Sequence, residues 1–191
     1  GLLSYDAGSI KVFGNEISQL PIAELDELRA RIGFVFQSSA LYDSMTVREN
    51  LEFPLRRHGK HKSKSEVQGL VEETLKDVGL LDAINLMPSE LSGGMRKRIG
   101  LARSLILHPE IMLYDEPTTG LDPITSGEII NLMLNVQKKY NTTSITISHD
   151  MHCAKITGNR LAIIVNGTNY SDGTFEELSI IDDPQTHPFF E

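Results

Sequence analysis

The sequence predicts an α/β chain in which a parallel sheet is interrupted by an all-helical insert. Three observations carry that expectation. Ile32-Gly33-Phe34-Val35-Phe36, Ile111-Met112-Leu113-Tyr114 and Thr143-Ser144-Ile145-Thr146-Ile147 are short apolar or β-branched runs of strand length. The second and third flank a segment of helical period, the spacing of strands joined by a crossover helix. Between the first and second, segments of helical spacing at Val47–Phe53, Glu66–Gly79 and from Ser92 onward suggest an all-helical insert within 44–108.

At the start, Ile10-Lys11-Val12-Phe13 reads as a short strand with Gly14-Asn15 turning after it, and Asp26 to Arg31 as a brief helix. The strand ending at Phe36 leads into Gln37. An amide at a strand end can bind a metal or a water, and it fits simple solvation equally well. Thr46 can cap the helical segment Val47 to Phe53, with Glu49 at the reciprocal capping-box position, and Pro54 is expected to bend or end it. Leu55 to Lys64 is basic, with Arg56, Arg57, Lys60, Lys62 and Lys64; it suits either a solvated linker or contact with anionic lipid headgroups. From Glu66 to Gly79, the residues Val67, Leu70, Val71, Leu75 and Val78 share one helical face.

Ser92-Gly93-Gly94 then forms a turn feeding a basic amphipathic helix with Met95, Ile99, Ala102 and Leu105/Ile106 as its apolar stripe. Unpaired first-turn amides and the helix dipole make such a terminus an anion site, and the same residues fit an ordinary serine cap. Asp115 and Glu116 stand at the C-terminal end of the next strand, where open parallel sheets place ligands, although a solvated edge also carries carboxylates. Asp122-Pro123 is a helix start for Ile124 to Tyr140, whose buried side is Ile129, Ile130, Met133 and Val136. The run Thr143 to Ile147 is expected as a core strand ending at Ser148-His149-Asp150. Arg160 to Val165 and Asn169 to Ser171 flank Asn166-Gly167, a type I′ hairpin pair. Thr174 caps a terminal helix to Leu178, and an irregular surface tail follows. Taken together, the Ser-Gly-Gly helix, the two carboxylates and the Pro/Gly loop have the layout of a nucleotide hydrolase.

Composition narrows the partners. The 191 residues include 26 acids against 18 Lys and Arg, a formal charge of -8, which argues against a nucleic-acid groove. A single cysteine, Cys153, excludes an internal disulfide and a cysteine zinc cluster. No run approaches the roughly 20 apolar residues of a membrane span, so a membrane role is expected to be peripheral. No G-x-x-x-x-G-K-S/T sequence occurs, so a phosphate-cradling loop and its lysine are missing from these residues.

Leu91-Ser92-Gly93-Gly94 with Met95-Arg96-Lys97-Arg98, then Ile111 through Pro117, then Gly120-Leu121-Asp122-Pro123, closely resembles the ATP-binding subunit of ABC transporters. The Met-Arg-Lys-Arg continuation resembles the subgroup that powers bacterial phospholipid transport, the organic-solvent or toluene-resistance type. The resemblance covers almost the whole chain. It implies a P-loop NTPase-like ABC nucleotide-binding fold with an incomplete parallel sheet, exposed apolar edges and a helical subdomain insert. In that family the phosphate loop, its helix and the preceding strands lie just before a segment like Gly1-Leu2-Leu3, so the chain is expected to be a partial domain, inactive alone. Its expected parts are 1–43, partial core and glutamine loop; 44–108, helical subdomain facing the permease; 109–180, catalytic core; and 181–191, tail.

The resemblance also implies ATP and Mg2+ as cofactors. Asp115 and Gln37 are the implied metal contacts, Glu116 the residue that polarises the attacking water, and His149 the γ-phosphate partner. Ser92, Gly93 and Gly94 would face the nucleotide of a second copy, with Asp122 in the loop crossing that interface. Implied partners are that second nucleotide-binding domain, transmembrane permease subunits and a lipid-binding protein, with no nucleic acid. The implied place is the cytoplasmic side of the bacterial inner membrane, as a peripheral subunit. Two other readings compete: a non-transport ABC ATPase of DNA repair or translation, and a structural domain that has lost catalysis. The first calls for a coiled-coil insertion or tandem nucleotide domains, and Gln37, Asp115, Glu116 and His149 weigh against the second.

Overall fold

The three predicted strand runs pair in parallel in the computed structural model, which describes residues 3–58 and 62–190. In chain order the elements are β1 (Lys11–Val12), β2 (Asn15–Glu16), α1 (Ile22–Ala30), β3 (Ile32–Val35), α2 (Val47–His58), α3 (Lys64–Asp77) and α4 (Gly93–Leu105). After these come β4 (Ile111–Asp115), α5 (Pro123–Tyr140), β5 (Thr143–Ile147), α6 (Met151–Thr157), β6 (Leu161–Val165), β7 (Thr168–Gly173) and α7 (Phe175–Ser179). The sheet order is β3-β4-β5, with Val35 opposite Tyr114 and Asp115 opposite Ile147. Antiparallel hairpins β1-β2 and β6-β7 stand apart from it.

The core forms where β4 meets helices. Met112 and Tyr114 point into a cluster with Ile99, Ala102 and Leu105 of α4 and Ile129, Met133 and Val136 of α5. Val47, Leu51 and Leu55 of α2 and Val71 and Leu75 of α3 extend it through the helical stretch between β3 and β4. Close approach needs Gly33: a Cβ there would lie 2.4 Å from Met112 Sδ and 2.9 Å from the Ser104 carbonyl. Ser104 Oγ uses that approach to donate to the Phe34 carbonyl at 2.7 Å.

Several elements differ from the sequence expectation. Helix α1 begins at Ile22 because Pro21, with its fixed φ, serves as the entry residue. Helix α2 runs through Pro54 to His58, since buried Val47, Leu51 and Leu55 anchor both sides of the proline. The basic stretch is therefore split. Arg56 and Arg57 pair with Glu52 and Asp26, Lys64 opens α3 behind a Ser63–Glu66 capping box, and Lys60, like Gly1 and Leu2, lies outside the described residues. Helix α6, which the sequence reading passed over, is capped by Asp150, whose carboxylate accepts from His152 N and Cys153 N. Strand β5 is not a core strand: it ends the sheet among the described residues, and Ile145 and Ile147, on one of its faces, are 57% and 62% exposed. The tail folds back, with Thr186 buried and Phe190 edge-on to Phe175 at 5.2 Å. Asn166 and Gly167 both have positive φ, as the type I′ turn requires.

Asn50 locks the entry to α2. Fully buried, it accepts from Tyr42 N at 2.8 Å and donates to the carbonyls of Tyr42, Met45 and Thr46. Asn50→Leu would strand these backbone groups in the core, and is expected to cost about 2–4 kcal/mol. Urea unfolding checks this as a lowered midpoint at constant slope.

Candidate functional site

Three parallel strand ends converge at one edge of the sheet, the edge where such sheets hold ligands. Gln37 and Glu116 each lie two residues past the Val35–Tyr114 pair, and His149 lies two past Ile147, the partner of Asp115. Parallel registration thus gathers a carboxylate pair, an amide and an imidazole that are distant in sequence.

Glu116 is the pivot. Its φ of 47° is left-handed, a conformation costing a non-glycine residue about 1–2 kcal/mol. The turn lets its N–H donate to Ile147 O at 2.9 Å while its carbonyl swings inward to accept from Lys97 Nζ at 3.1 Å. Its carboxylate spans His149 Nδ1 at 2.9 Å on one oxygen and Thr119 Oγ1 at 3.0 Å on the other. That hydrogen bond, and then the Glu116 charge itself, raise the His149 pKa above the ordinary imidazole value. Asp115 is half-buried beside this pair and Gln37 is exposed.

Lys97 is the site residue that sequence reasoning missed. The sequence marks α4 only as basic and amphipathic, with Lys97 outside its apolar stripe, yet Lys97 is only 8% exposed and donates to Gln37 O at 2.7 Å as well as to Glu116 O. Burial lowers its pKa, and the charges of Asp115 and Glu116 oppose that shift. The available signal was spacing: Lys97 shares a helical face with Gly100, Leu101 and Ser104, all turned toward the sheet or the Gln37 loop. Cys153 offers no nucleophile, because burial pushes its thiol up to about 11.

Ser92, Gly93, Gly94 and Asp122 form a second group. Ser92 Oγ accepts from Met95 N at 3.2 Å, and the glycines are the first helical residues of α4, not a turn before it. A Cβ on Gly94 would lie 2.7 Å from Thr125 Cγ2, so the start of α4 rests against the start of α5. Asp122 caps α5, accepting from Ile124 N and Thr125 N at 3.0 Å. The 116–122 loop, turned by Thr119 N to Glu116 O and Leu121 N to Thr118 O, joins the two groups. The cleft of about 530 Å³ lined by Phe13, His108, Glu110 and Tyr140 lies at the opposite end, where β4 and β5 begin.

Asp115 and Gln37 supply hard oxygen donors of the kind Mg2+ takes, one carboxylate and one amide, leaving water and phosphate oxygens to complete its shell. Among the described residues no group of three or more His, Cys, Asp or Glu forms an all-protein cage, which Mg2+ does not require.

A family model described as "ABC transporter" matches residues 1–119. A Methionine import ATP-binding protein MetN 2 of Bacillus cereus is 42% identical over 167 residues, 87% of this chain and 49% of that protein. The Probable ribonucleotide transport ATP-binding protein mkl of Mycobacterium leprae is 37% identical over 189 residues, 99% of this chain and 54% of that protein. The chain thus spans about half the length of these relatives. Among solved structures, the dimeric post-hydrolysis state of the ATP-binding cassette MJ0796 bound to ADP and Pi matches with a TM-score of 0.79 at 30% identity, over 88% of this chain and 73% of that one. The structure of cbiO1 from Clostridium perfringens, part of the ABC transporter complex cbiONQ, matches with a TM-score of 0.83 at 27% identity, over 93% and 70%.

The Glu116–His149 pair is strongest with the ring protonated, so it persists below the imidazole's ordinary pKa of about 6.5 and fades as pH rises through the raised value. An NMR titration of His149 is expected to give a midpoint above about 6.5 that falls back toward it in Glu116→Gln. Identical midpoints would refute the pairing.

Proposed function

The chain belongs to the ABC transporter family, and from that premise we propose that it is the ATP-binding and ATP-hydrolysing part of a subunit that energises a membrane transporter. The observation that carries the reading is the junction of Glu116 and His149 at the sheet edge beside Asp115. Glu116 polarises the attacking water, a task its carboxylate can perform once it exchanges the imidazole for the water. His149, released from Glu116 by that exchange and 76% exposed, donates to the γ-phosphate when protonated. Asp115 and Gln37 hold Mg2+, which when bound neutralises charge developing on the phosphate oxygens.

Ser92, Gly93, Gly94 and Asp122 share one surface, which suits contact with the nucleotide of a second copy of the domain. The dimeric MJ0796 cassette with ADP and Pi supports that arrangement, and cbiO1, as part of cbiONQ, supports permease partners. Among the described residues no helix is long and apolar enough to cross a membrane. From the family resemblance we infer attachment through the permease, at the cytoplasmic face of the bacterial inner membrane. The Met95-Arg96-Lys97-Arg98 continuation favours phospholipid as cargo, with a lipid-binding protein as further partner. The relatives' names point instead to methionine import and ribonucleotide transport, which makes cargo the finer question.

In the full-length protein, Glu116→Gln is expected to keep ATP binding while lowering hydrolysis about 100-fold or more, measured by phosphate release. Unchanged hydrolysis would remove Glu116 from its role. With the permease reconstituted in vesicles, ATP-dependent phospholipid transfer is expected; methionine or ribonucleotide uptake in its place would overturn the lipid assignment.

A further inference from the structure

We propose that Lys97 is a positioning residue for hydrolysis: its ammonium ties the Gln37 loop to the backbone of Glu116, and so holds the metal-facing amide and the water-polarising carboxylate in one register. The inference rests on the hydrolytic reading above. It concerns a residue to which the motifs assign no role.

The β3–β4 ladder ends at Val35 and Tyr114, two residues short of Gln37 and Glu116. Beyond that point the two chains diverge into loops, and the Lys97 bridge, 2.7 Å to one carbonyl and 3.1 Å to the other, takes the place of the absent ladder bonds. Its stem runs beside Val35, Leu101, Tyr114 and Pro117 around a cavity of only about 10 Å³. A buried ammonium is a costly occupant for such a place, and methionine would satisfy the packing without the desolvation penalty. What methionine cannot do is join two carbonyls.

The rest of α4 reinforces the bridge. Arg103 donates to Ala40 O at 2.6 Å and Ser39 O at 3.3 Å, and a Cβ on Gly100 would lie 3.0 Å from that of Ser39. Ser39 and Ala40 both have positive φ, so the loop after Gln37 is moulded against the helix. Lys97 alone among these contacts also reaches Glu116.

The test compares full-length wild type, Lys97→Met and Lys97→Arg with their permease, in steady-state ATP hydrolysis and amide hydrogen exchange. Lys97→Met is expected to lower kcat more than fivefold with the KM for ATP within threefold, to raise exchange in 36–42 and 116–121 selectively, and to be rescued at least halfway by Lys97→Arg. A smaller kcat loss, a loss carried by KM, exchange raised evenly across the chain, or no rescue would each overturn the proposal. Should Lys97→Met fail to fold, Lys97→Gln, whose amide is too short to bridge both carbonyls, is read by the same criteria. Wild type that does not hydrolyse ATP overturns the hydrolytic reading itself; wild type that does, beside an unimpaired Lys97→Met, overturns only the role of Lys97.

Discussion

Strand β4 is hydrogen-bonded on both sides, and that constraint governs where each functional group lies. Parallel pairing to β3 and β5 is slanted and evenly spaced, so fixing one register fixes the level at which all three strands stop. Asp115 closes the strand, Glu116 makes one further bond to Ile147 and then turns left-handed, and Gln37 and His149 arrive from the flanks. The order is enforced from beneath by Met112 and Tyr114, whose burial between α4 and α5 prevents a one-residue slip. Such a slip would exchange the core face of β4 for its other face and carry the acids with it.

Much of this was legible in the sequence because it is locally encoded. Thr46 with Glu49, Ser92, Asp122 and Thr174 announce helix starts through short-range capping chemistry, and each caps as read. Asn166-Gly167 announces its hairpin in the same way. The positions of Asp115, Glu116 and His149 followed from strand ends, which periodicity marks well. What escaped was set by tertiary contact. Pro54 is tolerated within α2 because buried leucines flank it, a fact about packing and not about proline. Lys97 looked like one cation in a basic row until the face carrying it was seen against two loop carbonyls. The exposure of Ile145 and Ile147 depends on what packs against that face of β5, which no window of its own residues records.

The two groups of site residues differ in how their polar atoms are used. Ser92 and Asp122 spend their side-chain oxygens on the helices they begin, so the surface they share presents backbone and glycine. Glu116 and His149 instead hold one another, an arrangement that orients both yet is cheap to exchange, since the imidazole is 76% exposed and solvent screens the pair. A rigid cap and an exchangeable pair thus sit at the two ends of the short 116–122 loop, and movement of that loop is felt by both.

The bare edge of β5 has a further meaning for how the molecule behaves among its own copies. Among the described residues, its outward N–H and C=O groups form a row onto which another extended strand can dock. Folding is a first-order process, whereas edge-to-edge capture rises with the square of chain concentration. The same strand that brings His149 to the site is therefore the one whose free edge sets a concentration limit for the described residues.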